Sequence, residues 1–315
     1  KIEHLLDMTA GLKFNENYSW NPFSKIAKLY MGNNTLKVLQ SLKFINTPGE
    51  SFSYDSATTA ILGVVIERAT GKPYAQYLSE KVWQPLGMER DALIGLDSKK
   101  SHTAKSFAGL TTNVRDLAKI GRLFLENGVC DGEKIVDPTF IQRCFSTHIS
   151  GISGKGQGRY SYSWYWGVAD EENGKRKFFD TLEELEVYYK DHPDKSINRI
   201  FKNPNNGYFA VLHNGGFWGF GLYGQVLYVN PSKNMIAVFL GADRLKDFDI
   251  LFDQLSTYLN NNSNKKTMAT TQPNSRHFFV DLVFYHRILK CFVLIDLKRG
   301  EIDHGDIGQM NLYLN

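Results

Sequence analysis

The chain has no window approaching the roughly 20 consecutive apolar residues that a bilayer span requires, so no membrane-spanning helix is expected. Cysteine is scarce. Cys130, Cys144 and Cys291 are an odd number at no metal-ligand spacing, and read as buried or incidental thiols. His4, His102, His148, His192 and His213 show no paired ligand spacing either, so no metal is expected. Charge of one sign is also lacking. A net charge of +4 over 315 residues, with acids and bases interspersed, gives no field that would draw nucleic acid or a membrane surface. The glycine-rich stretch at 150–158 fits neither G-x-G-x-x-G nor G-x-x-x-x-G-K-[ST], and reads as a flexible loop that implies no cofactor. There is no signal peptide and no initiator methionine. The opening Lys1-Ile2-Glu3-His4-Leu5-Leu6 reads as the interior of a domain, so the chain is expected to begin part-way through a longer protein.

What is present is an ordinary globular composition, 42% apolar and 22% charged, in a chain long enough to bury a sizeable core. Aromatics make up 13% and cluster at 160–228, which predicts a well-filled core or an aromatic-lined cleft. Residues 1–148 read as mainly helical. Ala57, Ala60, Ile61, Val64 and Val65 form an apolar helical stripe closed by Gly71, with Ser56 expected to cap its start. Pro73 opens a helix through Val82. Thr112 or Asn113 caps another, carrying Leu117, Ile120, Leu123 and Phe124, and Pro138 begins a short one through Phe145. Residues 13–35 read as an irregular surface segment.

From 160 the pattern changes to strands. Tyr160–Val168 is followed by a charged insertion at 170–206, which holds a surface helix behind the capping box Thr181-x-x-Glu184. Tyr208–Leu212, Leu222–Val229 and Met235–Leu240 then read as an antiparallel meander with turns at Asn214–Gly221 and Asn230–Asn234. A helix over 248–259 is expected to pack on it. The predicted domain is 1–260, with sheet and C-terminal helix at 160–260. Residues 261–315 are read as a polar linker and an unassigned tail containing the apolar patch Val280–Ile295.

Two stretches carry candidate chemistry. Tyr54 precedes the helix beginning at Ser56, which would hold its phenol on a rigid element. His213-Asn214-Gly215-Gly216 leaves a strand with paired glycines, where the Gly216 N–H could donate to a developing oxyanion. Taken singly, each is better read blandly: a turn tyrosine before a core helix, and a tight turn after a satisfied histidine. Order changes the odds. Ile2 to Leu12 is similar to "IKHLLxMTSGL". After it come Phe52-Ser53-Tyr54, Leu62–Glu67, Thr70–Tyr74, Gln84–Met88, Gly109–Ala118 and His213–Gly216. Together these resemble the serine β-lactamase-related hydrolases: class C β-lactamases, penicillin-recognising DD-peptidases, family VIII esterases and nylon-oligomer hydrolases. Gly219–Gln225 is most similar to the last branch.

The resemblance, over roughly residues 1–259, implies an α+β fold of the β-lactamase/transpeptidase type, an antiparallel sheet flanked by helices plus a mainly helical region. It implies a serine hydrolase acting on a small-molecule amide or ester through an acyl-enzyme, and an exported setting, periplasmic or otherwise extracytoplasmic. It places Tyr54 at the tyrosine and Ser56 at the asparagine of Y-x-N. His213, Asn214 and Gly215 fall on the K-T-G or H-x-G strand, with Asn214 and Gly215 lining substrate and Gly216 as oxyanion donor. Ser56 is shorter than asparagine, and His213 weakens the positive field that a lysine would supply. Lowering a phenol from near 10 to neutrality takes roughly 4 kcal/mol, so Tyr54 is expected to relay a proton rather than stand as a base. The nucleophilic S-x-x-K is expected upstream of Lys1, because the one match here, Ser263-Asn264-Lys265-Lys266, lies in the polar linker. Together with that segment, the fold's N-terminal strands are expected to be missing and the chain inactive as it stands. The rival expectation is a non-catalytic, penicillin-binding-like protein that recognises a peptide or cell-wall fragment.

Overall fold

The computed structural model describes residues 1–17, 21–145, 160–173, 175–203, 205–240, 250, 254, 282–286 and 291–295. The expected 150–158 loop, the 261–276 linker, Ser263–Lys266 and all but two residues of the 248–259 helix lie outside them. The chain divides into two compact units. One comprises Lys1–Asp116 and Asn127–Trp164, and the other Leu117–Glu126 and Tyr165–Asn315.

The first unit contains α1 (Ile2–Leu6), α2 (Lys25–Met31), α3 (Thr35–Gln40), α4 (Ser56–Thr70) and α5 (Tyr74–Leu78), which runs on into a π-helical turn over Ser79–Trp83. The chain then enters α6 (Val114–Leu125), of which Val114–Asp116 belong here. A hairpin of β1 (Val129–Cys130) and β2 (Glu133–Lys134), α7 (Pro138–Cys144) and β3 (Tyr160–Ser161) complete it. The core of this unit joins Leu29 of α2 to Ala57 and Ala60 of α4, with Val38 and Leu39 of α3 against them. Small residues on α4 let the helices approach closely.

Two expectations are corrected here. Residues 13–35 are not irregular throughout: Ser24 caps α2 by accepting the Ala27 N–H at 3.1 Å, and Ile26 and Leu29 are buried. Their three-residue apolar spacing is short enough to be masked by the asparagines on either side. Nor does Ser56 cap α4. Asp55, 3% exposed, does so by accepting the Thr58 N–H at 2.6 Å, which leaves Ser56 as the first helical residue. The cap at Asn113 stands, because its Oδ1 accepts the Asp116 N–H at 2.9 Å. Asp116, fully buried, in turn accepts from the Glu89 N–H, the Arg90 N–H and Asn113 Nδ2 at 2.7, 3.1 and 2.6 Å. The loop after Gly87 is thereby tied to the start of α6.

The second unit is built on an antiparallel sheet. Its strands are β4 (Trp164–Ala169, all but Trp164 in this unit), β7 (Ile197–Asn203), β8 (Gly207–Phe220), β9 (Val226–Asn230), β10 (Met235–Phe239), β11 (Leu282–His286) and β12 (Cys291–Ile295). A small hairpin, β5 (Glu171–Glu172) with β6 (Lys175–Arg176), precedes α8 (Leu182–Asp191). The order runs β12-β11-β10-β9-β8-β4, with β7 also on β8. Every residue of β9 and β10 is buried, as a central sheet position requires.

The predicted turn at Asn214–Gly221 is absent; β8 continues through it to Phe220. Glycines there signalled a turn, but they serve an irregular strand. The charged insertion at 170–206 is built into the sheet. The Thr181–Glu184 capping box is formed, and β7 pairs with β8 from Asn203↔Gly207 to Ile197↔Leu212. Leu185 and Tyr189 of α8 pack on Ala210. A buried Asp170 holds the insertion down, accepting from the Tyr189 hydroxyl at 2.6 Å and from Lys195 Nζ at 2.8 Å. Part of the unassigned tail is strand, since β11 pairs with β10 and β12 with β11. No helix among the described residues is long and apolar enough to cross a membrane.

Candidate active site

The segment Met8–Leu12 acts as a brace for Tyr54. The Met8 carbonyl accepts the Ser53 N–H at 2.8 Å, Thr9 O accepts Gly49 N–H at 2.8 Å, and Gly11 O accepts Ile45 N–H at 2.9 Å. Gly11 has φ +71°, and a Cβ there would lie 2.3 Å from the Asn46 carbonyl oxygen, so only glycine lets the two segments meet. Residues far apart in sequence thus set the backbone immediately before Tyr54.

The tyrosine ring is 41% exposed. Partial burial, and then the negative field of Glu16, Tyr30 and Asp55, push its phenol up to about 12. That direction is away from a standing base. Burial also raises the Asp55 carboxyl above its usual range. Ser56, 6% exposed, gives both its donors to one carboxylate: Ser56 N to Glu16 Oε2 at 2.8 Å and Ser56 Oγ to Glu16 Oε1 at 2.5 Å. The Tyr30 hydroxyl lies 3.3 Å from Ser56 Oγ. Since Ser56 has only one hydroxyl proton and Glu16 takes it, Tyr30 is the donor to Ser56.

In the second unit, His213–Gly216 marks a break in the ladder. The partner of β4 jumps from Phe217, opposite Trp166, to Leu212, opposite Val168, so Gly167 faces four residues of β8. The β7 register ends at Leu212 and the β9 register begins at Phe217. The segment is therefore where β8 changes neighbour, a bulge of the kind that re-aims backbone groups. Gly215 has φ +75°. At Gly216 a Cβ would lie 2.4 Å from the Tyr228 hydroxyl oxygen and 2.8 Å from its Cζ. Tyr228 is fully buried and cannot retreat, because Asn230 Nδ2 donates to its hydroxyl at 3.0 Å. Asn230 Oδ1 in turn accepts from Ser232 Oγ at 2.7 Å. Gly216 is thus glycine for lack of room. The side chains of His213 and Asn214 lie outside what is described.

The structure places Tyr54 and Ser56 side by side at one helix start in the first unit, and His213, Asn214, Gly215 and Gly216 in one strand bulge of the second. A separate cleft of about 400 Å³ lies along the π-helical turn, lined by residues that include Trp83, Met88 and Arg90, and shares none of these positions.

The profile described as "Beta-lactamase" matches residues 1–250. The chain belongs to the beta-lactamase family. Among curated proteins, this beta-lactamase-family chain is 31% identical to the 6-aminohexanoate-dimer hydrolase of Paenarthrobacter ureafaciens over 154 residues, which is 45% of the chain and 38% of that protein. A solved structure from Bacillus anthracis, assigned as a 6-aminohexanoate-dimer hydrolase, superposes with a TM-score of 0.58 at 21% identity. That match covers 82% of this chain and 61% of the other. The chain thus spans well under half of the curated relative it matches, and under two thirds of the solved one. A second profile, "YhcG PDDEXK nuclease domain", matches residues 245–315. Over 38 residues the chain is 55% identical to a protein of Escherichia coli K12 assigned as the nuclease YhcG, covering 12% of this chain and 10% of that protein.

Sequence reasoning missed three things. Glu16 stands 40 residues before Ser56, and no spacing rule connects them. Tyr228 and Asn230 looked like strand and turn residues, although their support of the glycine pair needs only two strands in register. The tail from 277 was left without function.

Proposed function

We propose that this family member is an amide- or ester-cleaving serine hydrolase that works through an acyl-enzyme, in which Tyr54 relays a proton and the Gly216 N–H donates to the oxyanion. The observation that carries the reading is the Tyr54–Ser56 corner, where a phenol with its proton firmly held is braced at the start of a rigid helix. A phenol kept neutral suits the acid half of a relay, giving a proton to a leaving amine or alkoxide and recovering it in deacylation. Asn214 and Gly215 would pair an extended substrate along the bulge. The 6-aminohexanoate-dimer hydrolase among the relatives supports a short amide as the substrate class. The nucleophilic serine and its lysine would be supplied by sequence outside these 315 residues.

The test is intact-mass analysis after treatment with a fluorophosphonate and with a penicillin. No stoichiometric adduct is expected on this chain, and one is expected on a longer form that carries Ser-x-x-Lys ahead of Lys1. An adduct on any serine of the present chain, Ser56 and Ser263 included, sinks the assignment. A longer form that has the pair and takes neither probe favours the non-catalytic binding protein.

A second reading concerns the C-terminal segment only. The nuclease profile over 245–315 favours a piece of a nucleic-acid-cleaving domain, with Asp281, Asp296 and Lys298 as its acid and lysine positions. These three residues lie outside the described ones. The reading runs against the absence of a nucleic acid partner expected from net charge, since a local site needs no global field. Supercoiled DNA in a divalent-cation buffer should be nicked by the chain and not by an Asp296→Asn, Lys298→Ala variant. Equal behaviour of the two proteins removes this reading.

A further inference from the structure

At the corner described above, Tyr54, Asp55 and Ser56 are consecutive, yet they face different demands. Asp55 is spent on the helix cap, where its carboxylate accepts the Thr58 N–H. The remaining anion, Glu16, arrives from a non-helical stretch and takes both donors of Ser56. The bonds have a direction: Tyr30 donates to Ser56, and Ser56 donates to Glu16. A carboxylate accepting two hydrogen bonds from one residue is held in a single orientation, and charge-assisted bonds of this kind are the strong ones.

We propose that Glu16 is a positioning residue of the Tyr54 corner: its carboxylate takes both donors of Ser56, locks the helix start and fixes a negative charge on the residue two along from the phenol. The proposal rests on the reading of Tyr54 as the proton relay and deepens it, because Glu16 would decide in which direction the relay is poised. In this arrangement the short Ser56 does not act alone at the asparagine position of Y-x-N. The Ser56–Glu16 pair fills it, with a charged oxygen where the family pattern has an amide. Among the described residues, the titratable groups acting on Tyr54 are Glu16, Tyr30 and Asp55, and all three oppose loss of its proton. Glu16 is the largest of these after burial itself.

The prediction is read on this chain, without substrate, by nitration with tetranitromethane at pH 8 and peptide mapping. The reagent attacks phenolate, so the rate at each tyrosine follows its ionised fraction, and one unit of pKa is a factor of ten. Tyr54 should react far more slowly than its exposure suggests. Glu16→Gln keeps the size and an acceptor oxygen but removes the charge, and should raise the Tyr54 rate about three- to fivefold, short of the factor of ten for a whole unit because burial is the larger cause. Glu16→Asp keeps the charge and should stay within about twofold of the native protein, by the same proportionality. Tyr74, whose phenol is raised by burial alone, is the control in the same unit. An unchanged or slower Tyr54 rate in Glu16→Gln overturns the proposal. So does an equal rise in Glu16→Asp, which would make the charge irrelevant, or a parallel rise at Tyr74, which would report loosened packing. None of these outcomes touches the hydrolase reading, which stands or falls on the acylation test.

Discussion

In a longer form of the protein that carries Ser-x-x-Lys, Tyr54→Phe should lower kcat on a small ester by about 100- to 10,000-fold, the usual contribution of a general acid–base group. The substitution keeps the ring and its packing. It removes a hydroxyl whose proton is held to about 12, so the native residue is a donor throughout the neutral range. Because the ring is 41% exposed and the helix cap belongs to Asp55, folding stability should change little. Ser56→Asn in the same protein should be tolerated or should raise amide turnover, since the amide can donate to Glu16 where the serine hydroxyl did. Steady-state hydrolysis of one ester and one amide, with a melting curve for each variant, decides the matter. If Tyr54→Phe keeps most of the native kcat, Tyr54 is a turn residue and the relay assignment is wrong.

Asp116→Ala should cost the first unit about 4 kcal/mol, the largest stability effect expected of a single polar residue here. The carboxylate is fully buried and accepts from Glu89 N, Arg90 N and Asn113 Nδ2. Truncation strands all three donors, each at about 1–3 kcal/mol, against which refilling by water recovers part. Asp116→Asn keeps one acceptor oxygen but turns a donor towards the others, and should fall between the native protein and the alanine variant. Urea unfolding of the three proteins, followed by the fluorescence of Trp83, gives the comparison. This buried indole sits beside the loop and donates to the Arg90 carbonyl at 2.8 Å. A loss below about 1 kcal/mol for the alanine variant would mean that the loop does not depend on this anchor.

The run Gly109–Ala118 illustrates what a motif can and cannot say. Read as letters, it marked the family and a helix cap at Thr112 or Asn113. The structure shows that Asp116, which the motif carries without a stated role, ties a second loop to that cap. Likewise Ile2–Leu12 was legible as a family signature, but its work is to hold the backbone ahead of Tyr54 through carbonyls that no side-chain pattern reports. At α4 the apolar stripe and Gly71 located the helix correctly, while the cap fell one residue earlier than expected, because aspartate and serine are both good caps and only the geometry chooses.

By itself the sequence determined that the chain is an α+β member of the beta-lactamase family. It also determined where the main helices of the first unit lie, and it offered Tyr54, Ser56 and His213–Gly216 as candidates for the family's catalytic positions. These follow from local periodicity and from the order of short segments, both of which are properties of a string. Only the tertiary structure decided that Glu16 answers Ser56 across 40 residues and that β8 runs unbroken through its glycines. It likewise decided that Tyr228 leaves no room for a side chain at Gly216. The physical reason is common to all three. A hydrogen bond or a steric contact forms between surfaces that folding brings together, and its energy depends on distances that sequence separation does not encode.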